Sequence, residues 1–230
     1  MRILVTAGAT QEPIDSVRYI SNISTGRTGA SLSEEFCSKG AHVVHLAGLQ
    51  AWTPSPHDRL KLMRFSSFQD LKEQLSALLS QTPFDAVIHS AAVSDYSVED
   101  PQTGKLSSDP EEMTLKLKRN PKLIHQIKDF SRHPLVQVIA FKLTHTPNPV
   151  LRMNAIERLS LRSDIHLVVH NDLSEIQSLE HHPFHIYQGN QRLQTVTNSR
   201  DLAQFLFQQL SQRMDSIAQD TQTSFNHGRS

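Results

Sequence analysis

The chain has 230 residues, with 23 Lys+Arg set against 23 Asp+Glu and 37% hydrophobic residues. That length permits one large domain or a domain with an appended subdomain, and zero formal net charge argues against bulk affinity for a nucleic acid or an anionic membrane. A single cysteine, Cys37, excludes an internal disulfide framework and any multi-cysteine zinc or iron–sulfur site.

The N-terminal MRILVTAGAT holds too short an apolar run for a signal peptide, and no stretch reaches the roughly 18 apolar residues of a membrane span. A cytoplasmic protein is expected. Ile3-Leu4-Val5 reads as a first strand ending at Thr6-Ala7-Gly8, followed by a long connection from Gly8 to Gly26. A helix is predicted from Ser31 to Lys39 with Gly40 as its stop. A strand follows at Val43–Leu46, then a helix from Ser67 to Ser80 with Phe68, Leu71, Leu75, Leu78 and Leu79 on one face. Ala86-Val87-Ile88 is the next strand, and Ser94 to Pro110 is polar without a period. Loops of that length inside a domain are more often functional than idle.

Met113, Leu115 and Leu117 alternate with Thr114, Lys116 and Lys118, which predicts a half-exposed strand. Asn120-Pro121 reads as a cap with proline at the first helical position, leading into a helix from Lys122 to Phe130. Strands are predicted at Val136–Ala140 and Leu167–Val169, and a hairpin at Phe184–Thr197 centred on Gly189-Asn190. A last helix uses Leu202, Phe205, Leu206 and Leu210 between Ser199 and Met214, and residues 215–230 read as a polar, disordered tail. Strands alternating with helices predict an α/β fold: a Rossmann-like, doubly wound, mostly parallel sheet with an added β-hairpin, in a single domain over residues 1–214.

A strand entering Thr6-Ala7-Gly8-Ala9-Thr10 suggests nucleotide binding. An NAD(P)-dependent short-chain-type oxidoreductase fits poorly. No full G-x-G-x-x-G follows the strand, no acidic residue ends the second strand, and no tyrosine has a lysine four residues on. The stretch before the first helix carries Arg18, Asn22, hydroxyls and spaced glycines. Such a helix start brings amide N–H groups close to an anion. Arg18 could fork onto a phosphate or carboxylate and Asn22 could donate to an oxyanion. Equally, Ser24 and Thr25 could cap the helix and Arg18 could pair with Asp15.

DSVRYISNISTGRTG from Asp15 to Gly29 closely resembles the signature of phosphopantothenate–cysteine ligases. The resemblance continues in order through HSAAVSDY (His89 to Tyr96), GKLSS (Gly104 to Ser108), Asn120-Pro121-Lys122, AFKL (Ala140 to Leu143) and VVHNDL (Val168 to Leu173), and spans roughly residues 2 to 197. It implies an enzyme that activates the carboxylate of 4′-phosphopantothenate with a nucleoside triphosphate, usually CTP in bacterial members and otherwise ATP. An acyl-nucleotidyl anhydride forms, and L-cysteine then attacks it to give phosphopantothenoylcysteine in coenzyme A biosynthesis. Mg²⁺ would accompany the nucleotide, with no metal ligands assignable. The stand-alone bacterial form is implied, with no decarboxylase domain and no flavin. A homodimer is also expected, with no nucleic acid or membrane partner.

By the same resemblance, Asn22 matches the family's catalytic asparagine and Arg18 an arginine of the same loop. Ser24, Thr25, Gly26 and Ala92 match phosphopantothenate contacts. His89, Ser90, Ala91 and Asp95 match the nucleotide site, as do Lys118, Arg119, Asn120, Pro121 and Phe141, and Lys105 matches the lysine of a mobile loop over the phosphates. Bacterial relatives carry two lysines, four apart, where this chain has Arg158 and Arg162, expected on one helix face. The AFKL block is similar to the ATP-using eukaryotic enzymes, so nucleotide preference stays open. A non-catalytic nucleotide-binding relative is the other alternative.

Elsewhere simpler readings are preferred. Lys116, Lys118, Arg119 and Lys122 read as a solvated strand edge beside a phosphate site rather than a nucleic-acid patch. His181, His182 and His185 read as a surface loop rather than a metal site, and Cys37 as a small core side chain. His170 stands where the family usually has a small residue.

Overall fold

The computed structural model describes residues 1–178 and 181–227. Eight strands form one sheet in the order β12-β11-β10-β9-β6-β1-β4-β5. Its parallel part comprises β1 (Arg2–Ala7), β4 (His42–Gly48), β5 (Leu60–Phe65), β6 (Ala86–His89), β9 (Gln137–Thr144) and β10 (Leu167–Asp172). β11 (Phe184–Gln188) and β12 (Gln191–Val196) add the antiparallel hairpin at one edge, turning at Gly189 with φ 54°. The doubly wound, mostly parallel sheet with a hairpin is therefore the architecture of the chain. Among the described residues no helix is long and apolar enough to cross a membrane.

Ile3, Leu4 and Val5 are all fully buried, because alternate residues of β1 face two different helix layers. On one face Ile3, Val5, Val43, Ile88, Ile139 and Val169 pack against Leu32, Phe36 and Cys37 of α1 (Arg27–Ser38). Leu202, Leu206 and Leu210 of α5 (Ser199–His227) close the same cluster. On the other, Leu4, Leu46, Val87, Val138 and Val168 meet Phe68, Leu71, Leu75 and Leu79 of α2 (Phe68–Gln81). Ile127 of α3 (Ile127–Phe130) and Ile156 of α4 (Pro149–Ser160) complete that layer. From β1 the chain winds outward to β4 and β5, then returns to β6, β9 and β10. The reversal falls between β1 and β6, and at the C-terminal ends of the strands such a point is where sheets of this kind form a ligand crevice.

Several elements differ from the sequence expectation. The Gly8–Gly26 connection contains an antiparallel pair, β2 (Gln11–Pro13) and β3 (Tyr19–Ser21). α1 starts at Arg27, four residues early, with Gly26 at φ 73° as its N-cap, and the Thr25 hydroxyl accepts the Arg27 amide at a long 3.5 Å. β5 was not predicted, since Lys61 and Arg64 interrupt its apolar pattern at the edge of the sheet.

The alternation at 113–118 yields only β8 (Leu117–Arg119), paired with the three residues of β7 (Tyr96–Val98). The helix expected from Lys122 to Phe130 breaks into a 3₁₀ turn at Leu123–His125 and the short α3, because Asn120 directs its side chain elsewhere. α4 ends at Ser160, with Leu161 as its C-cap. Arg158 therefore sits in its last turn and Arg162 beyond it, not on a shared helix face. α5 continues past Met214 to His227, a stretch with no glycine or proline to stop it. Of the 215–230 tail, residues 228–230 lie outside the described residues.

Candidate functional site

At the C-terminal ends of β1 and β4, Gly8, Gly26, Gly29 and Gly48 permit backbones to approach closely. A Cβ on Gly8 would stand 2.5 Å from the Ala51 Cβ, and one on Gly29 2.4 Å from the Ala7 Cβ. Gly8 and Gly26 also hold φ of 83° and 73°, where other residues are strained. The start of α1 is thereby pressed against the ends of β1 and β4. Arg27 lays its guanidinium over Trp52, 4.2 Å from the ring centroid, and the Trp52 N–H of the backbone donates to the Thr25 carbonyl.

The segment after β6 runs beside this helix start. The Ser90 amide and hydroxyl both donate to the Thr6 carbonyl, and the Ala92 amide donates to the Gly8 carbonyl. His89 is buried, with its Nδ1 2.9 Å from the Thr6 Oγ1. Burial holds its pKa at about 4, so the ring is neutral and offers the crevice no charge. His89, Ser90, Ala91 and Ala92 thus come together with Gly26 at one edge, as a backbone wall.

Asn120 acts on the same wall from inside the protein. Its amide group donates to the Ser94 carbonyl and to the Ser97 hydroxyl, while its backbone N–H donates to the Asp95 carbonyl. Ser97 also donates to the buried Glu12, whose other oxygen accepts the Phe68 amide at the start of α2. Asn120 is therefore occupied in fixing the turn that presents Asp95. Asp95 itself is exposed and pairs with Lys122. Lys118, Arg119 and Pro121 are exposed alongside, and Phe141 is half-buried on β9 against Phe184, ring centroids 6.5 Å apart.

The loop residues are arranged otherwise. Arg18 forks onto Asp15 and donates to the Leu106 carbonyl, while the Leu106 amide donates to Asp15. The Arg18 guanidinium holds the Asp15 carboxyl well below the usual carboxylate range, with burial opposing it. The pairing of Arg18 with Asp15 is the alternative the sequence left open, and it fastens the neighbour of Lys105 to the β2–β3 hairpin. Lys105, Asn22 and Thr25 are exposed and Ser24 is half-buried. At the far side, Arg162 is held bidentately by Asp164 at 2.8 and 2.7 Å, whereas Arg158 is exposed in the last turn of α4. Those two arginines are not equivalent, because only Arg158 is left open by its own neighbours.

Two residues escaped the sequence reading. Lys142, next to Phe141 within AFKL, has Lys122 and Asp95 in electrostatic range, and Lys122, within Asn120-Pro121-Lys122, pairs with Asp95. Both lay in blocks already singled out, and Lys122 was read as a solvated edge beside a phosphate site without a role of its own. His170 is fully buried, with its Nε2 2.8 Å from the Thr144 Oγ1 and its ring stacked on His185. It fills space between β9 and the hairpin. His182 stacks on Phe184 and His185 pairs with Glu175, so neither is a free loop residue.

The family described as DNA/pantothenate metabolism flavoprotein, C-terminal domain, matches residues 1–214. The coenzyme A biosynthesis bifunctional protein CoaBC of Methanocaldococcus jannaschii is 36% identical over 176 residues, 76% of this chain and 41% of that protein. Its counterpart in Thermococcus kodakarensis is 27% identical over 213 residues, 93% of this chain and 51% of that protein. The chain thus spans about half the length of these curated relatives. Among solved structures, the DNA/pantothenate metabolism flavoprotein of Streptococcus pneumoniae superposes with a TM-score of 0.82 at 30% identity, covering 93% of this chain and 99% of that one. A Cab2 variant in complex with phosphopantothenate-cysteine shares the fold, with a TM-score of 0.76 at 18% identity over 96% of this chain and 88% of that one.

Proposed function

The chain belongs to the family of DNA/pantothenate metabolism flavoprotein C-terminal domains, and we propose from that membership that it joins 4′-phosphopantothenate to L-cysteine in coenzyme A biosynthesis. One observation carries the reading. A glycine-lined helix start is pressed onto the C-terminal ends of β1 and β4, and near the end of β9 in the same sheet Lys142 has Lys122 and Arg158 within electrostatic range. That end of the sheet is where such folds take phosphorylated ligands. The relatives' description as coenzyme A biosynthesis proteins supports the same chemistry.

In the proposed reaction a pantothenate carboxylate oxygen attacks the α-phosphorus of CTP, or of ATP, and pyrophosphate leaves. The cysteine amine then attacks the acyl carbon, loses its proton, and expels the nucleoside monophosphate. A free carboxylate is a poor acyl donor, and the anhydride supplies a good leaving group. The protein's task is to gather anions and hold them aligned. Asn22, whose side chain is exposed beside β3, would donate to the activated acyl group. Ser24, Thr25, Gly26 and Ala92 would line the phosphopantothenate.

The backbone of His89 to Ala91, Asp95 and residues 118–121 would border the nucleotide, with Phe141 against its base. Lys105 would swing over the phosphates from the segment that Asp15 and Arg18 fasten at Leu106. Among the described residues no group of three His, Cys, Asp or Glu side chains is set to hold a metal. Magnesium would accompany the phosphate groups of the nucleotide, with Asp95 an exposed carboxylate at that end of the sheet. A homodimer is part of the proposal, supported by exposed Val17, Tyr19, Ile20 and Ile23 around the β2–β3 hairpin.

The test is a coupled pyrophosphate assay with phosphopantothenate, cysteine and each of four triphosphates in turn. Pyrophosphate and nucleoside monophosphate should appear only in the complete mixture. Orthophosphate and a diphosphate would overturn the nucleotidyl mechanism. Nucleotide binding without any cysteine-dependent product would point instead to a non-catalytic relative.

A further inference from the structure

β9 outruns its neighbour. β6 accompanies it only as far as His89, opposite Ala140, so Phe141 to Thr144 project beyond the end of β6 on that side. Successive side chains of a strand face opposite ways. Phe141 packs with the cluster beneath α1 and α5, while Lys142 shares the face of Val138 and Ala140, beneath α4. Lys142 is half-buried there, and among the described residues its ammonium has neither an ion pair nor a hydrogen bond.

The groups around it make that position unusual. Lys122, Asp95 and Arg158 lie within electrostatic range, from the segment after β8, the turn after β6 and the last turn of α4. Asp95 already pairs with Lys122. On β10 the register partner of Lys142 is His170, whose pKa is held at about 4 chiefly by burial, leaving it neutral. Asp172, two residues on, is taken up by Thr144, Ser174 and Arg152. Three cations therefore share one carboxylate that is already engaged. Burial and the Lys122 charge push the Lys142 ammonium below the ordinary lysine value, with Asp95 opposing. Taking a charge partly out of water without a partner is unfavourable. An arriving polyanion would reverse that balance.

We infer that Lys142, together with Lys122 and Arg158, binds the pyrophosphoryl part of the triphosphate, and that Lys142 stabilises the charge that pyrophosphate carries as it leaves. The ligand's identity rests on the ligase reading; the anion site rests on the cluster alone. The ammonium is a compact point charge suited to one phosphoryl group, with Arg158 free to fork onto another. Lys142 thus differs from Lys105, which reaches the same ligand from an exposed loop.

Inorganic pyrophosphate, titrated calorimetrically into the full chain, is the direct probe. Lys142→Met should weaken its binding by tenfold or more and Lys142→Gln similarly. Lys142→Arg should retain most of the affinity, and Lys128→Met on α3 should leave it unchanged. Because the variants remove a poorly solvated charge, thermal unfolding should show them at least as stable as the parent. Should Lys142→Met misfold, Lys142→Gln serves in its place. In the ligase assay the KM for the triphosphate should rise by a similar factor. Pyrophosphate affinity unchanged in Lys142→Met, or no pyrophosphate binding by the parent chain, overturns the inference even if amide product forms. Lys142-dependent pyrophosphate binding without amide product upholds the site and refutes the ligase reading instead.

Discussion

Lowering the pH from 7 to 5 should remove several kcal/mol of stability, and buried imidazoles set the size of that loss. His45 on β4 is fully buried, its Nδ1 2.7 Å from the Ser33 Oγ of α1 and its Nε2 without a partner. His89 is buried against Thr6. Burial lowers each from the ordinary 6.5 to about 4, with Arg64 adding to the effect at His45. The unfolded chain protonates both rings near pH 6.5, whereas the folded chain resists until about pH 4. Between those values the unfolded state binds more protons, so stability is full above 6.5 and falls as pH falls toward 4.

A gap from 6.5 to about 4 corresponds to roughly 3 kcal/mol per ring when fully crossed. At pH 5 each ring has forfeited about 2 kcal/mol, and the pair about 4. His170, also held at about 4, acts in the same direction. Against a total of about 5–15 kcal/mol for a domain, that is a large share. Urea unfolding followed by circular dichroism at pH 7, 6 and 5 measures it directly. His45→Gln, which can still bond Ser33 but binds no proton, should shrink the loss between pH 7 and 5 by about 2 kcal/mol. Equal losses in parent and variant, or a flat profile above pH 5, would refute the reasoning.

Gly29→Ala gains about 1 kcal/mol in helix propensity but sets a Cβ 2.4 Å from the Ala7 Cβ and 3.0 Å from the Ser90 Oγ. Overpacking should win, with a net loss of about 1–3 kcal/mol in urea unfolding; a more stable variant would contradict the close approach of α1 to β1. Asn22→Asp should keep its nucleotide affinity in a fluorescence titration and lose amide formation, whereas normal turnover would remove Asn22 from the chemistry. Lys105→Ala, at an exposed position, should raise the triphosphate KM tenfold or more without altering the melting temperature. A large drop in melting temperature would make Lys105 structural.

Local chemistry determined a good part of this protein from the chain alone. Short β-branched runs at β1, β4, β6, β9 and β10 are strands wherever they are covered on both faces. Ser67 caps α2 by accepting the Asp70 amide, and Gly189-Asn190 turns the hairpin. The ordered blocks from Asp15 to Leu173 likewise marked the family. Each of these signals lies within a few neighbouring residues.

Only the tertiary structure decided how the polar groups are spent. Arg18 is held by Asp15 and Leu106, Asn120 by Ser94 and Ser97, and Arg162 by Asp164, while Lys142 is left with no counter-charge of its own. The alternation at 113–118 became a strand only where β7 supplied a partner. A hydrophobic period reports which face a residue must bury, because burial acts on every residue of the element alike. A guanidinium or an ammonium instead takes whichever partner the completed fold brings within reach. For Arg18 and Leu106 that partner lies 88 residues away, and no local pattern encodes it.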